Sequence, residues 1–223
     1  MQTTTEATAR SSTRYELPPE GATLLGYIVR RMHKTALLAP VAGLLNAGQS
    51  AEALAQIALY AAAASASFGP AYYQPRFDRA GDTAGEPDPA TGAMVSARLE
   101  ASSPHYRVSN AVEMPDGSRF AGVEEITGTT VGLRGLGMPA PSRFEFTAPD
   151  GGYTARVTGI ITSELAPALL GPWRIRAYGS LELHDSSGNA GRLTLAREGR
   201  AEAHVTAVGG GTVVRHVDLA ERR

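Results

Sequence analysis

The second half of the chain alternates between apolar and polar residues with a period of two. In the segment PWRIRAYGSLELHD, which begins at Pro172, apolar or small residues occupy every second position and polar residues occupy the positions between them. This period is typical of a β-strand with one buried and one solvated face. About nine or ten such segments follow Met94. The pattern therefore predicts a mainly β domain over residues 94–223.

Short turns separate these segments and predict how the strands are connected. Tight turns between consecutive strands favour hairpins, so each strand should pair antiparallel with the next. A meander that closes on itself leaves no exposed edge, which favours an up-and-down β-barrel over a sandwich. The strand number and hairpin order resemble those of lipocalin-type (calycin-like) barrels, a likeness of architecture that implies no residue roles. The predicted turns are 115–118, 149–152, 185–189, 198–199 and 209–211.

Residues 1–93 predict two or three helices and no strand. Residues 1–19 are polar and without period, and we expect them to be disordered. Residues 20–69 form a predicted helical segment, and residues 70–93, rich in Pro, Gly and Asp, form a predicted linker. Pro40 should break the first helix or open a short second one that stops at Gly48. Ser50 should cap the last helix, AEALAQIALYAAAASASF.

The alanine-rich helix admits more than one environment. Glu52 and Gln56 interrupt it, and alanine is only weakly apolar, so a buried or self-associating helix is favoured over a membrane span. Whether the helices cap the barrel, plug it or pack on its outside stays open at this point.

Composition excludes several functional classes. The net charge of −1 predicts no nucleic-acid partner and no attraction to an anionic membrane. The chain has no cysteine, which excludes disulfides and thiolate metal sites. The polar start lacks the apolar segment of a secretory signal, so we expect a cytoplasmic protein. Arginine far outnumbers lysine, and alanine and glycine are abundant, which favours a bacterial source with a GC-rich genome. No nucleotide, phosphate or metal motif occurs, so no cofactor is predicted.

Candidate catalytic residues are polar side chains on the apolar side of predicted strands. In HYRVSNAVEM and RFAGVEEITG this side holds Tyr106, Asn110 and Glu124. A carboxyl group in an apolar cavity should have a raised pKa and could transfer protons, while Asn and Tyr could orient a carbonyl or stabilise an oxyanion. A shift of one residue, which the pair Glu124–Glu125 makes easy, would instead turn Val123 inward and Glu124 outward.

Aromatic and small residues indicate a ligand cavity. Phe120, Phe144, Phe146 and Trp173 are the predicted ligand-binding residues, although plain core packing is the alternative for each. Small residues on the inward side leave a void or admit the helices as a plug. His184 and His204 share the polar side of nearby strands and are weak metal candidates, with a solvated sheet face as the favoured alternative. The small inward residues are Gly122, Ala155, Gly159, Ala177, Gly179, Ala201, Ala203 and Ala207.

Three functions fit these patterns. The first is the binding of a small apolar molecule in the barrel, with catalysis as a cofactor-free isomerase or cyclase of secondary metabolism. The second is a non-catalytic carrier of a lipid or polyketide-like molecule. The third is a structural or accessory subunit that forms homo-oligomers through the alanine-rich helix. Enlarging Ala58 or Ala62 should abolish assembly only in the third case.

Overall fold

The computed structural model describes residues 24–66, 81–101, 105–127, 138–166 and 174–219. Three α-helices and a short 3₁₀ helix precede ten β-strands. The helices are α1 (Leu24–Met32), the 3₁₀ helix (Thr35–Leu37), α2 (Val41–Asn46) and α3 (Ser50–Ala66). The strands are β1 (Thr83–Pro87), β2 (Met94–Ala101), β3 (His105–Glu113), β4 (Arg119–Thr127), β5 (Met138–Thr147), β6 (Thr154–Ala166), β7 (Arg174–Asp185), β8 (Ala190–Leu195), β9 (Arg200–Thr206) and β10 (Thr212–Asp218).

The strands form one antiparallel sheet in which every strand lies beside its neighbours in sequence, from β1 to β10. The predicted mainly β fold with preceding helices and consecutive hairpins is therefore confirmed. The barrel is not: among the described residues no pairing joins β1 to β10, so both strands are sheet edges. One strand, β1, lies within the segment 70–93 that the sequence indicated to be a linker, because five residues with Gly and Pro carry little strand signal.

All five predicted turns connect adjacent strands. In the turn between β3 and β4, the amide of Gly117 donates to the carbonyl of Met114, and the carboxylate of Asp116 accepts the amide of Ser118 at 2.8 Å. Gly117 has φ +86°, a conformation that favours glycine. Turn geometry fixes strand register, and here it places Glu113 opposite Arg119.

Helix α3 lies on the concave side of the sheet and packs on β5 to β10. Every residue from Ala53 to Ser65 is buried, so the helix has no solvated side over these residues. Its closest neighbour is β9, whose inward residues Ala201 and Ala203 are also fully buried. Small side chains on both surfaces let the helix and the sheet approach closely. The prediction of a buried helix is confirmed. Helix α3 packs on the inward side of the sheet, which is the position that the plug alternative gave it.

This arrangement changes the interpretation of strand β7. Its alternation favoured a cavity-lining surface, whereas the inward side chains of Leu181 and Leu183 are fully buried where β7 packs on α3. The small residues on the inward side make room for a helix at this part of the sheet. No helix in the described part of the chain is long and apolar enough to cross a bilayer.

Polar contacts fix the 3₁₀ helix and the first residue of α3 to the sheet. The buried carboxylate of Asp88, in the β1–β2 turn, accepts the hydroxyl of Thr35. The side chain of Asn189, in the β7–β8 turn, donates to the Ser50 hydroxyl at 2.8 Å and to Asp185 at 2.7 Å. Because these contacts join distant parts of the sequence, they hold α1 and α3 in fixed positions over the sheet.

The two long helices leave part of the concave side between them. Helix α1 packs on β1 and β2, and α3 packs on β5 to β10. In the described structure neither helix backbone packs extensively on β3 or β4. We call the part of the sheet face over β3 and β4, which side chains rather than the backbones of α1 and α3 cover, the interhelix gap. Side chains from both helices reach across it.

We expect Ala58→Leu to destabilise the fold by about 1–3 kcal/mol, because α3 has no room for a larger side chain at this fully buried position. Urea unfolding monitored by circular dichroism measures the change. Ala36→Leu, at an exposed position, is the control and should change stability by less than about 0.5 kcal/mol. An Ala58→Leu protein as stable as the parent, but with a smaller oligomeric mass, would show instead that α3 is a surface used for assembly.

Candidate functional site

A buried ion pair lies in the interhelix gap. The guanidinium of Arg31, from α1, donates from Nη2 to Oε2 of Glu124, from β4. Both side chains are 1% exposed. Arg31 Nη1 also donates to Oδ1 of Asn110, from β3, at 3.4 Å. Desolvating two charges costs several kcal/mol per ion before their attraction offsets it, so this pair is an expensive element of the interior, where the buried Ser142 of β5 lies opposite Glu124.

The β3–β4 turn explains why Glu124 points inward. The register that it fixes pairs Val108 with Glu124 and Asn110 with Gly122. Glu124 therefore lies on the same side of β4 as the fully buried Phe120. Its neighbour Glu125 is exposed, so the one-residue shift considered for this strand is not the observed register.

Arg31 reaches the pair because of its place on α1. Leu24, Ile28, Arg31 and Thr35 follow each other at spacings of three and four residues and are all buried. Arg31 thus continues the apolar side of the helix rather than its solvated side. Met32, the next residue, is partly buried, and His33 is exposed.

Tyr60 enters the same gap from α3. Its ring meets Phe120 edge-on at a centroid distance of 4.7 Å, and Phe120 stacks on Phe144 at 5.1 Å. Burial raises the pKa of Tyr60 to about 12, and the nearby charge of Arg31 opposes only part of this rise. The hydroxyl is fully buried; the Arg31 guanidinium lies close enough to donate to its oxygen, and no described residue accepts its proton. We call Arg31, Tyr60, Asn110 and Glu124 the polar cluster.

Several predicted site residues lie at or near this cluster. Asn110 is 5% exposed and Glu124 1%, both on the inward side. Phe120, Phe144 and Phe146 are buried, and Phe146 contacts Tyr153 rather than Tyr60. The backbone of Tyr106 lies in β3 opposite Ile126, but its side chain is outside the described part of the structure, as is the whole of Trp173.

The two histidines are not brought together. Strand β8 separates β7 from β9, and the register places His184 opposite Ala190 but His204 opposite Arg192. Both side chains are exposed, and the ring of His204 contacts Glu202 at 2.5 Å. Among the described residues no group of three or more metal-ligating side chains occurs. The solvated sheet face is therefore the better description of these histidines.

Sequence reasoning missed Arg31 and Tyr60. A signal for Arg31 existed, since it lies at helical spacing from Leu24 and Ile28, but its neighbours Arg30 and Lys34 suggested a solvated surface. Tyr60 lies within an apolar helix and looks like any core aromatic. Only the fold shows that both side chains meet β3 and β4.

Comparisons with known proteins add no assignment. No protein-family model matches the chain, and a search of curated proteins finds no similar sequence. The chemistry of the cluster therefore has to be argued from its own residues. It combines a carboxylate able to accept a proton, a guanidinium beside it, and a phenol able to donate to an oxygen atom.

We predict that the Arg31–Glu124 pair is strongly coupled. Arg31→Met and Glu124→Leu should each destabilise the protein by about 3–5 kcal/mol, because each leaves a buried charge without its opposite charge. The double variant should recover most of this loss. A double-mutant cycle by urea unfolding measures the coupling.

The exposed pair of Arg192 and Glu182, at 3.5 Å, is the control for this cycle. Its coupling should not exceed about 1 kcal/mol, since solvent screens it. Equal coupling in the two cycles would contradict the buried position of Arg31 and Glu124.

Tyr60 should make the stability depend on pH at alkaline values. Its pKa is about 12 in the folded protein and about 10 when unfolded. The folded state therefore binds the phenol proton more tightly, and the stabilisation is complete below pH 10 and lost as the pH rises toward 12. Urea unfolding at pH 9 to 11.5 measures the decline.

Tyr60→Phe should reduce the loss of stability as the pH rises, because it removes one of the groups whose pKa is raised by folding. Tyr153→Phe is the comparison, because burial and the neighbouring Asp185 also raise the pKa of Tyr153. If Tyr60→Phe leaves the alkaline profile of the parent unchanged, Tyr60 is not buried as described.

Proposed function

We propose that the protein binds a small, largely apolar molecule in the interhelix gap and acts on it as a cofactor-free isomerase or cyclase. One observation carries the proposal: four polar side chains from four elements, α1, α3, β3 and β4, converge inside an apolar interior. Buried charges are costly, and functional sites are a common place for them.

The surroundings of the cluster support an apolar ligand. Phe120 and Phe144 lie beside Tyr60, and Val108 and Ile28 are fully buried nearby in β3 and α1. Ligand sites are commonly apolar surfaces with a few polar groups that fix orientation. In this proposal, the edges of the sheet enclose the gap in the manner of a lipocalin-type barrel, and the ligand lies beside α3 rather than in its place.

Glu124 is not an isolated acid, because the guanidinium of Arg31 lies beside it. Its carboxylate is buried and faces the same interior as Tyr60 and Asn110, so we assign Glu124 the role of a proton acceptor. Arg31 holds the carboxylate in position through its hydrogen bond. Proton transfer and shape-directed binding need no cofactor. We place this activity in the cytoplasm of a bacterium.

A structural or accessory role is the second candidate. The observation that favours it is the position of α3, which fills the sheet from β5 to β10. In this case the Arg31–Glu124 pair would serve only to specify how α1 docks on β3 and β4. Ala58 and Ala62 are fully buried within one chain, so assembly would need another surface than α3.

Native mass spectrometry of the freshly purified protein tests the proposal. We expect a bound molecule of defined mass, released on denaturation, because the polar cluster and its apolar lining select one ligand class. Glu124→Gln, shown to be folded by circular dichroism because it leaves the Arg31 charge without its partner, should keep the bound mass and lose turnover of that molecule, while Glu125→Gln, at the exposed neighbour, should keep both. A ligand-free mass for the parent protein, with no binding of added apolar compounds, would favour the accessory role.

A further inference from the structure

The Tyr60 hydroxyl needs an acceptor that the described protein residues do not supply. It is fully buried, and although the Arg31 guanidinium lies close enough to donate a hydrogen bond to the phenol oxygen, no described residue accepts the phenol proton. Leaving a buried hydroxyl proton without an acceptor is costly, and native proteins seldom do so without a water, an ion or a function. A ligand oxygen atom beside Tyr60 would remove this cost.

The charges around Tyr60 restrict the kind of oxygen. A negatively charged carboxylate ligand would compete with Glu124 for Arg31 and place two like charges together in an apolar interior. A neutral carbonyl oxygen accepts the phenol hydrogen bond without this penalty. The positive charge of Arg31 would then stabilise negative charge that develops on that oxygen.

We infer that the ligand of the interhelix gap carries an enolisable ketone or aldehyde, with its carbonyl oxygen on Tyr60 and its α-carbon facing Glu124. This inference rests on the proposed function and names the substrate class. Glu124 removes a proton from the α-carbon, the C–H electron pair forms a C=C bond, and the carbonyl π electrons move to oxygen as an enolate. The protonated Glu124 then returns the proton, to the same carbon or to a conjugated one, so no oxidant or reductant is needed.

The probe is 2-tetralone, an apolar ketone with acidic α-hydrogens, and tetralin is its counterpart without the carbonyl group. The full chain is incubated with 2-tetralone in D₂O, and the loss of α-hydrogen signals is followed by proton NMR. Binding of both compounds is measured by native mass spectrometry. We expect 2-tetralone to bind in preference to tetralin and to exchange its α-hydrogens faster than in buffer.

Two variants and two controls assign the effect to the polar cluster. Glu124→Gln should slow protein-dependent exchange by about 100-fold or more, the usual contribution of a general base. Tyr60→Phe, which keeps the ring packing on Phe120, should slow it by about 100-fold, as for the loss of one oxyanion donor. Glu125→Gln, at the exposed neighbour, and Ser65→Ala, which removes another buried hydroxyl of α3, should leave exchange unchanged.

Each contrary result overturns a different statement. If tetralin binds as well as 2-tetralone, or Tyr60→Phe exchanges like the parent, carbonyl recognition is wrong and the binding function stands. If 2-tetralone binds but exchanges at the buffer rate, or the co-purifying molecule has no carbonyl group, the enolisation is wrong. If neither compound binds and no molecule co-purifies, both this inference and the proposed function fail.

Discussion

The burial of α3 against the sheet is the constraint on which the rest of the structure depends. A helix made mostly of alanine has no solvated side and too little apolar surface on any one side to dock firmly on a flat sheet. A curved sheet compensates for this small apolar surface, because six strands, β5 to β10, pack on the helix. The small residues Ala201 and Ala203 of β9 let the two surfaces meet at close range. The meander of hairpins supplies the curvature without long crossovers.

The position of α3 also determines which part of the sheet can hold a functional site. It covers the strands after β5, while α1 covers β1 and β2, and the inward face of β3 and β4 lies between the two helices. Side chains long enough to reach across this space come from Arg31 and Tyr60, and they meet Glu124 and Asn110. The polar cluster is therefore a consequence of how two helices share one concave sheet.

Much of the fold could be predicted from the sequence, because period-two alternation and turns such as 115–118 are local signals. Glu124 and Asn110 could be placed inward for the same reason, since parity within one hairpin is a short-range property. The plugging of the sheet by α3 could not be predicted, since small inward residues fit an empty cavity and a packed helix equally well. Arg31 was missed because its role depends on a contact with a strand 93 positions away in sequence.

The predicted closed barrel shows a similar limit. Strand pattern and turns fix neighbours along the chain, but closure depends on whether β1 meets β10, which no local signal encodes. The edges β1 and β10 remain separate strands of an open sheet in the described structure.

A high-resolution crystal structure of the protein as purified tests the account most directly, through the electron density in the interhelix gap. The account predicts density for a bound molecule with an oxygen atom within hydrogen-bond distance of the Tyr60 hydroxyl and a carbon atom against Glu124. A gap closed by apolar side chains, with the Tyr60 hydroxyl donating its proton to a protein acceptor, would contradict it.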